Sequence, residues 1–317
     1  AIASKKLPYI STFTIGFDLN SASGIELAYD ERDSAERMSY LYKTQHYEMV
    51  LKAGDMERSM RKLVWHLDEP RVGQSYPNYY AAHLASKFST VVLAGTGGDE
   101  LFGGYPWRYY RGAGSKSFQE YLDRYFSFWQ RVVPASEMSK LIEPLGLDAS
   151  KVNAKDIFSS VFDSHSALPT SHDEYINQSL YFECKTFLQG LLIVDDKLSM
   201  AHGIETRVPF LDNDLVDFAT SLPVKYKLAN LSKVFDMNEN NLGKVRQYFQ
   251  KTKDGKLLLR KMADRYVPKE ISERQKQGFS GPDASWFRGE SIEYIRDTLF
   301  SPNAHINSIL HKNTVQK

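Results

Sequence analysis

Bulky apolar side chains alternate with small polar ones from Tyr9 to Phe17 (YISTFTIGF), and this period of two in a β-rich stretch predicts a strand. The chain before it, AIASKKLP, reads as the tail of a helix running into that strand. The rhythm then slows. In DERDSAERMSYLYK, Ala35, Met38, Leu41 and Tyr42 share one face at helical spacing, and HYEMVL, His46 to Leu51, is again a strand, which makes a βαβ unit. Asp55 is placed to cap a helix whose Met56, Met60, Leu63, Val64 and Leu67 form an amphipathic face. A further helix, NYYAAHLASKF, groups Ala81, Leu84, Ala85 and Phe88 and leads into an apolar run, Thr90 to Ala94, predicted to be a buried strand. Strands and helices that alternate in this way predict a parallel sheet with right-handed crossovers.

After Tyr105 the period of two fades. SFQEYLDRYFSFWQRV opens with the Ser117/Glu120 spacing of a capping box and carries Phe118, Tyr121, Leu122, Tyr125 and Trp129 at helical intervals, a stripe that reads as core rather than as a cofactor surface. SLYFECKTFLQGLLIV, DNDLVDFATSL and GKLLLRKMADRY continue the helical pattern. The expected organisation is an α/β part over residues 1–110 and a helical part over residues 111–317, packed together without a linker.

Composition narrows the function. In a chain of 317 residues, 40 basic side chains nearly balance 39 acidic ones. Bulk attraction to nucleic acid or to an anionic membrane is therefore not expected, and any phosphate must be held locally. The single cysteine, Cys184, cannot form an intrachain disulfide and lies among helix-spaced apolar residues. With no secretory or membrane-spanning run, the expectation is a cytoplasmic protein with a buried structural thiol.

Three stretches carry candidate chemistry. In VVLAGTGGDELFGGY, Gly95, Gly97 and Gly98 allow backbone N–H groups to approach an anion, while Asp99 and Glu100 would repel a bare phosphate unless Mg²⁺ lies between. Neither the dinucleotide fingerprint nor the Walker A pattern is present, and a helix-capping Asp99 is the plain structural alternative. In VDDKLSMAHGIETRVPFLDNDLVDFA, Asp195, Asp196, Glu205, Arg207 and Asp212 stand among apolar residues, where ion pairing is weighed slightly above substrate contact. His202 has no helical metal-site companion and reads as packed. In SERQKQGFSGPDASWFRG, Arg274 and Lys276 precede Gly278 and Gly281; a solvated basic loop is the default, and neutralisation of charge on a transferred phosphorus is the preferred reading.

Taken together and in this order, LAGTGGDELFGGY, SMAHGIETRVPFLD and RQKQGFSGPDASWF resemble the synthetase domain of the class B, glutamine-hydrolysing asparagine synthetases and their relatives, the β-lactam synthetases. The likeness runs from about residue 1 to about residue 290 and includes the strand STFTIGFD. It implies an ATP pyrophosphatase fold of the adenine nucleotide α-hydrolase type. It also implies activation of a side-chain carboxylate as an acyl adenylate with release of pyrophosphate, followed by attack of ammonia. By position, the resemblance implies Ile15 and Gly16 against adenine and Ala94 and Gly95 lining the adenosine pocket, with Gly97 and Gly98 in the same loop. It implies Asp99 on Mg²⁺, Lys276 on the phosphates and the transition state, and Asp196 and Glu100 bordering the amino-acid pocket. The partners implied are ATP, a carboxylic amino acid and ammonia from a glutaminase domain, with a homodimer as a further expectation.

Three departures qualify these expectations. The family's Ser-Gly-Gly-X-Asp-Ser pyrophosphate loop is expected just ahead of AIASKK, so the chain by itself is expected to bind ATP weakly and turn over nothing. No residue corresponds to the glutaminase nucleophile, and Cys184 does not match it. Thr96 stands where many asparagine-forming members carry Glu, so the acceptor need not be aspartate. The alternatives are amidation of a different carboxylate and a scaffold that binds a partner without turnover.

Overall fold

The computed structural model describes residues 1–20, 22–23, 26–27, 29–70, 75–130, 133–148, 151, 153–163, 168–230, 253–274 and 281–315. A short 3₁₀ turn, Ala3–Lys5, precedes β1 (Ser11–Phe17). The chain crosses through α1 (Arg32–Tyr42) to β2 (Gln45–Leu51), which lies parallel to β1 with Ile15 opposite Met49 and Phe17 opposite Leu51. This is the βαβ unit that the alternating pattern predicts. Ile15, Phe17 and Leu51 turn into a core completed by Ala53, Met56, Tyr76 and Trp286.

Helix α2 (Ala53–Leu67) and α3 (Tyr76–Ser86) follow. Asp55 is not the cap of α2. It is the third helical residue, and its carboxylate reaches back to the Lys52 N–H at 2.9 Å. Val64 lies outside the buried stripe of Met56, Leu63 and Leu67. Phe88, grouped by spacing with the buried face of α3, lies beyond the helix end and stacks on Tyr47 with ring centroids 3.8 Å apart.

The apolar run after α3 is a strand, β3 (Val91–Leu93), but it is not buried. Val91 and Leu93 are 41% and 71% exposed, and only the intervening Val92 packs against Ala82, Ala85 and Ile204. Its described partner is a single strand, β4 (Glu205–Arg207), which pairs with it in parallel to form a second two-stranded sheet. Alternate side chains of β3 therefore face away from α3. Phe13 of β1 and Val92 of β3 pack on the same cluster, so α3 backs both sheets.

Between β3 and β4 the chain is helical: α4 (Gly98–Phe102), α5 (Pro106–Ala113), α6 (Phe118–Trp129), α7 (Ala135–Leu141), α8 (Ala154–Ser160), α9 (His172–Phe182) and α10 (Gln189–Met200). Ser117 caps α6 by accepting from the Glu120 N–H, and Tyr121, Leu122 and Tyr125 of the aromatic stripe are buried with Phe128, Phe158 and Phe182. That stripe is core, as its spacing predicts. A π-helical turn, Glu183–Leu188, joins α9 to α10 without a break. Beyond β4 come α11 (Asn213–Ser221), capped by Asp212, and α12 (Leu257–Ala263), α13 (Lys269–Ser272), α14 (Asp283–Arg288), α15 (Ile292–Phe300) and α16 (Lys312–Val315). The α/β class is thus as expected, with β4 arriving from within the helical half of the sequence.

Candidate functional site

The glycine loop starts where β3 ends. Ala94 donates its N–H to the Arg207 carbonyl at 2.9 Å, which fixes the last turn of the strand before Gly95 emerges into the open. Gly97 has φ +97°, and Leu211 packs where a Cβ would stand, so both conformation and space require glycine. Gly98 begins α4 and turns its N–H toward the Gly95 carbonyl at 3.4 Å. Asp99 lies inside the first helical turn, with Gly97 as the cap residue, which removes the reading of Asp99 as a cap. Its main-chain carbonyl accepts from Gly104 N–H at 2.7 Å, and a Cβ on Gly104 would overlap its carboxylate.

A cation meets Asp99 from an unforeseen place. Lys256 Nζ lies 2.7 Å from Asp99 Oδ1. Lys256 is the cap residue of α12 and has φ +57°, a left-handed conformation uncommon for a residue with a side chain. Neighbouring bonds enforce it: Lys256 N–H donates to the Phe102 carbonyl at 3.1 Å, and Leu257 N–H to the Lys227 carbonyl at 3.1 Å. Arg260 holds the Gly255 carbonyl through Nε at 2.9 Å and the Ser272 and Arg274 carbonyls through Nη1 at 2.9 and 2.8 Å. A continuous series of bonds thus runs from Asp99 through Lys256 and Arg260 to Arg274. Lys276 itself, with residues 275–280, lies outside the described residues.

On the other side of the loop, Thr96 Oγ1 donates to Asp195 Oδ2 at 2.7 Å, and Asn78 Nδ2 donates to Asp195 Oδ1 at 3.1 Å. Of the two adjacent aspartates, Asp195 is the one brought to the loop; Asp196, the residue carried over from the family, is exposed. Consecutive positions on a helix point about 100° apart, so only one of them can face the loop. Glu205 and Arg207 pair at 2.9 Å, but on the exposed side of β4. His202 packs between the rings of Tyr79 and His83, as a histidine without metal companions should.

Glu100, expected at the amino-acid pocket, is turned inward and is 1% exposed. Being next to Asp99 on a short helix, it points to a different side, where the Glu183 and Cys184 side chains of the π-helical turn lie near its charge. There Arg108 pairs with Glu183 at 3.1 Å and lies over the rings of Tyr105 and Phe187, while Tyr125 donates to Glu183 at 3.0 Å. Burial first, and the nearby Glu100 and Glu183 charges second, push the Cys184 thiol up to about 12. Cys184 is therefore a structural thiol, as its surroundings in the sequence suggest.

At the end of β1, Ile15 is part of the buried core and Gly16 is covered by Arg32. A Cβ on Gly16 would overlap Arg32, whose Nε and Nη2 donate to the Asp30 carboxylate at 2.8 and 2.6 Å. The face expected to meet adenine is thus formed by a guanidinium held in place by its own carboxylate. Close by in the sequence, Glu31 pairs with Arg274 at 3.3 Å. After the Lys276 segment the chain is anchored again. Glu26 accepts from the Ala284 and Ser285 N–H groups at 2.9 and 3.0 Å, and Tyr76 donates to Asp283 Oδ1 at 2.9 Å.

Burial, with the Glu26 charge adding to it and the Tyr76 hydroxyl opposing it, pushes the Asp283 carboxyl up to about 7. The folded chain then holds a proton that the unfolded chain has released, so this group favours the native state at acid pH and ceases to do so as pH rises from its ordinary value through about 7. Urea unfolding followed from pH 5 to pH 8 is expected to show a falling midpoint in the wild type. In Asp283→Asn that component of the slope is expected to vanish.

Among the described residues, no group of three or more acidic, histidine or cysteine side chains is arranged around a metal. Asp99, next to Gly98, carries a carboxylate, a hard oxygen donor. This fits Mg²⁺, which is commonly held by one or two carboxylates together with phosphate oxygens and water. Lys256 was not singled out by sequence, and Asp195 was weighed only as one of several charges among apolar residues. Adjacent glycine and lysine in KDGKLLLR, and the doubled aspartate, are the only signals that could have drawn attention to them.

No helix of the described residues is long and apolar enough to cross a membrane. The family model described as asparagine synthase matches residues 1–317. The chain is 28% identical over 343 residues to asparagine synthetase [glutamine-hydrolyzing] 1 of Bacillus subtilis strain 168, covering 99% of this chain and 49% of that protein. It is 27% identical over 339 residues to a putative asparagine synthetase [glutamine-hydrolyzing] of Mycobacterium tuberculosis H37Rv, covering 96% of this chain and 46% of the relative. A stretch of 100 residues is 41% identical to putative asparagine synthetase [glutamine-hydrolyzing] 2 of Methanocaldococcus jannaschii, covering 31% of this chain and 18% of that protein. The chain spans about half the length of the first two relatives. With a match along its whole length and a glycine loop bordered by Asp99, Lys256 and Asp195, the chain belongs to the asparagine synthase family.

Proposed function

We propose that this chain is the amide-forming part of an ATP-dependent carbon–nitrogen ligase with the ATP pyrophosphatase fold. A side-chain carboxylate attacks the α-phosphorus of ATP, pyrophosphate leaves, and ammonia displaces AMP from the acyl adenylate. A carboxylate is a poor electrophile, and adenylation gives it a good leaving group. The observation that carries this reading is the convergence of charge at the glycine loop: Asp99 with Lys256 on one side, and Asp195 held by Thr96 on the other.

In this reading Ala94 and Gly95 border the nucleoside, Gly97 and Gly98 shape the loop, and Ile15 and Gly16 with Arg32 form the floor beneath the base. Asp99 would hold Mg²⁺, which when bound supplies positive charge to the phosphate oxygens. Lys256 holds the Asp99 carboxylate in place, and Lys276 is assigned to the phosphates. Glu100, being buried, supports α4 rather than touching substrate. The relatives are named as glutamine-hydrolysing, so ammonia delivered by a glutaminase domain is the matching source for this chain.

The test is pyrophosphate release by the full-length polypeptide from ATP and Mg²⁺ with ammonium and a panel of carboxylic amino acids. Release that depends on both acid and ammonium is expected, and Lys276→Ala is expected to lower it at least about a hundredfold, as loss of a preorganised cation does elsewhere. Absence of pyrophosphate with every acid would leave the scaffold reading in its place.

A further inference from the structure

Basic side chains gather where the end of α2, the helix α3 and the turn from α10 into β4 meet. His202 stands in that turn, its ring centroid 4.5 Å from that of Tyr79 and 5.0 Å from that of His83, both on α3. His66 of α2 lies 6.4 Å from the same Tyr79 ring. Nε2 of His202 is buried and has no hydrogen-bond partner among the described residues, so a proton added there finds no acceptor.

The charges acting on the two imidazoles are of one sign. Burial first, then Lys87 and Lys62, holds His83 below its ordinary value. Burial first, then His83, His66 and Lys62, does the same for His202, against the opposing pull of a hydrogen bond with the Tyr79 main chain. On α10, Lys197 bonds to the Leu67 carbonyl and Asp195 to Thr96 and Asn78. On β4, Glu205 pairs with Arg207 on the exposed face. The lysines that lower both imidazoles also disfavour a metal cation between them.

The pair sits at the start of β4. Two residues beyond His202, Ile204 packs on Ala82 and Ala85, to either side of His83 along α3. Glu205 then donates its N–H to the Thr90 carbonyl at 2.9 Å, and the Arg207 carbonyl receives the Ala94 N–H at 2.9 Å, just ahead of the glycine loop.

We propose that His83 and His202 form an acid-sensitive clasp that fastens the α10–β4 turn to α3, and that acidification opens it and loosens β4 together with the entry to the glycine loop. An unfolded histidine takes up its proton near pH 6.5, whereas in the folded chain both rings stay neutral to lower pH. The clasp therefore stabilises fully above about pH 6.5, and its contribution is lost as pH falls through the lowered folded values.

The experiment reads amide protection factors of the full-length polypeptide at Glu205 and Ala94 at pH 8 and pH 5, with the imidazole titrations followed by NMR. In the wild type both factors are expected to fall about tenfold or more at pH 5, the factor that one unit of lowered pKa supplies. The Asp18 N–H, bonded to Leu51 beside the other sheet, is expected to keep its protection. Reading single amides separates the clasp from the Asp283 carboxyl, whose effect on global stability has the opposite sign. His83→Gln and His202→Gln are each expected to remove most of the fall. Lys62→Gln, a change at an exposed position, is expected to raise both titration midpoints and to shrink the fall.

Equal protection of Glu205 and Ala94 at the two pH values in the wild type would overturn the clasp. So would a fall that persists undiminished in both glutamine variants, or rings that titrate at or above the ordinary value. Should neither histidine variant fold, Lys62→Gln decides: an undiminished fall in it overturns the proposal.

Discussion

Arg108→Ala is expected to cost about 3–5 kcal/mol of stability, the range found when one partner of a buried ion pair is removed and the other is left behind. Glu183 is fully buried in the π-helical turn, and Arg108 meets it at 3.1 Å from α5. Burial pushes the Glu183 carboxyl upward, while Arg108 and the Tyr125 hydroxyl pull it back toward the ionised form. Burial already outweighs them and raises the carboxyl to about 7, and without the guanidinium it is held still more firmly in its protonated form. The variant is therefore expected to be less damaged at acid pH than at neutral pH, which equilibrium denaturation at pH 5 and pH 8 would register. The guanidinium also fills the space between the Tyr105 and Phe187 rings, so lost packing adds to lost charge. An effect under about 1 kcal/mol, typical of an exposed pair, would mean that the pair is open to solvent.

Trp286→Ala is expected to cost about 3–5 kcal/mol, as truncation of a large buried aromatic does. Trp286 is completely buried between Phe17 of β1 and Tyr76 of α3, with ring centroids 6.3 and 6.1 Å apart. It is the apolar anchor of α14, the short helix that Glu26 and Tyr76 hold through its first residues. A six-residue helix has little stability of its own, so its place depends on these contacts. The variant should therefore show faster amide exchange over residues 281–291 in addition to a lower denaturation midpoint. Loss of global stability with unchanged protection of that segment would mean that α14 is held by other contacts.

Long elements with a clear period were legible in the sequence. β1 carries alternation along most of its length, and α6 carries both its cap and its aromatic stripe, so local pattern and element type agree. Burial was less legible. Val91 and Leu93 read as interior because they are β-branched or apolar, whereas exposure depends on what packs on each face of the strand, which no local pattern encodes. β4 was missed because Glu205–Arg207 has only three residues, two of them charged, and becomes a strand only by pairing with β3.

The candidate site divides along the same line. Asp99 and the glycines form a contiguous segment and could be found by reading along the chain. Lys256 and Asp195 act on that segment from 157 and 99 residues away, respectively, and their relevance lies in distances of 2.7 Å that only the folded chain defines. The resemblance points to Asp196, which is exposed, while its neighbour Asp195 is the one hydrogen-bonded to the loop through Thr96. Adjacent positions along a helix present different faces, which spacing alone does not assign to a site.

The parallel pairing of β3 with β4 bears on how the protein is made. All of α4 to α10 must be synthesised and closed into a loop before Arg207 can receive the Ala94 N–H. During translation the β3–β4 pairing that fixes the glycine loop thus remains unformed long after the loop's own residues have left the ribosome, and its assembly is among the slow, long-range steps of folding. A nascent chain stalled before Arg207 should accordingly show no amide protection at Ala94 even with every glycine of the loop already exposed.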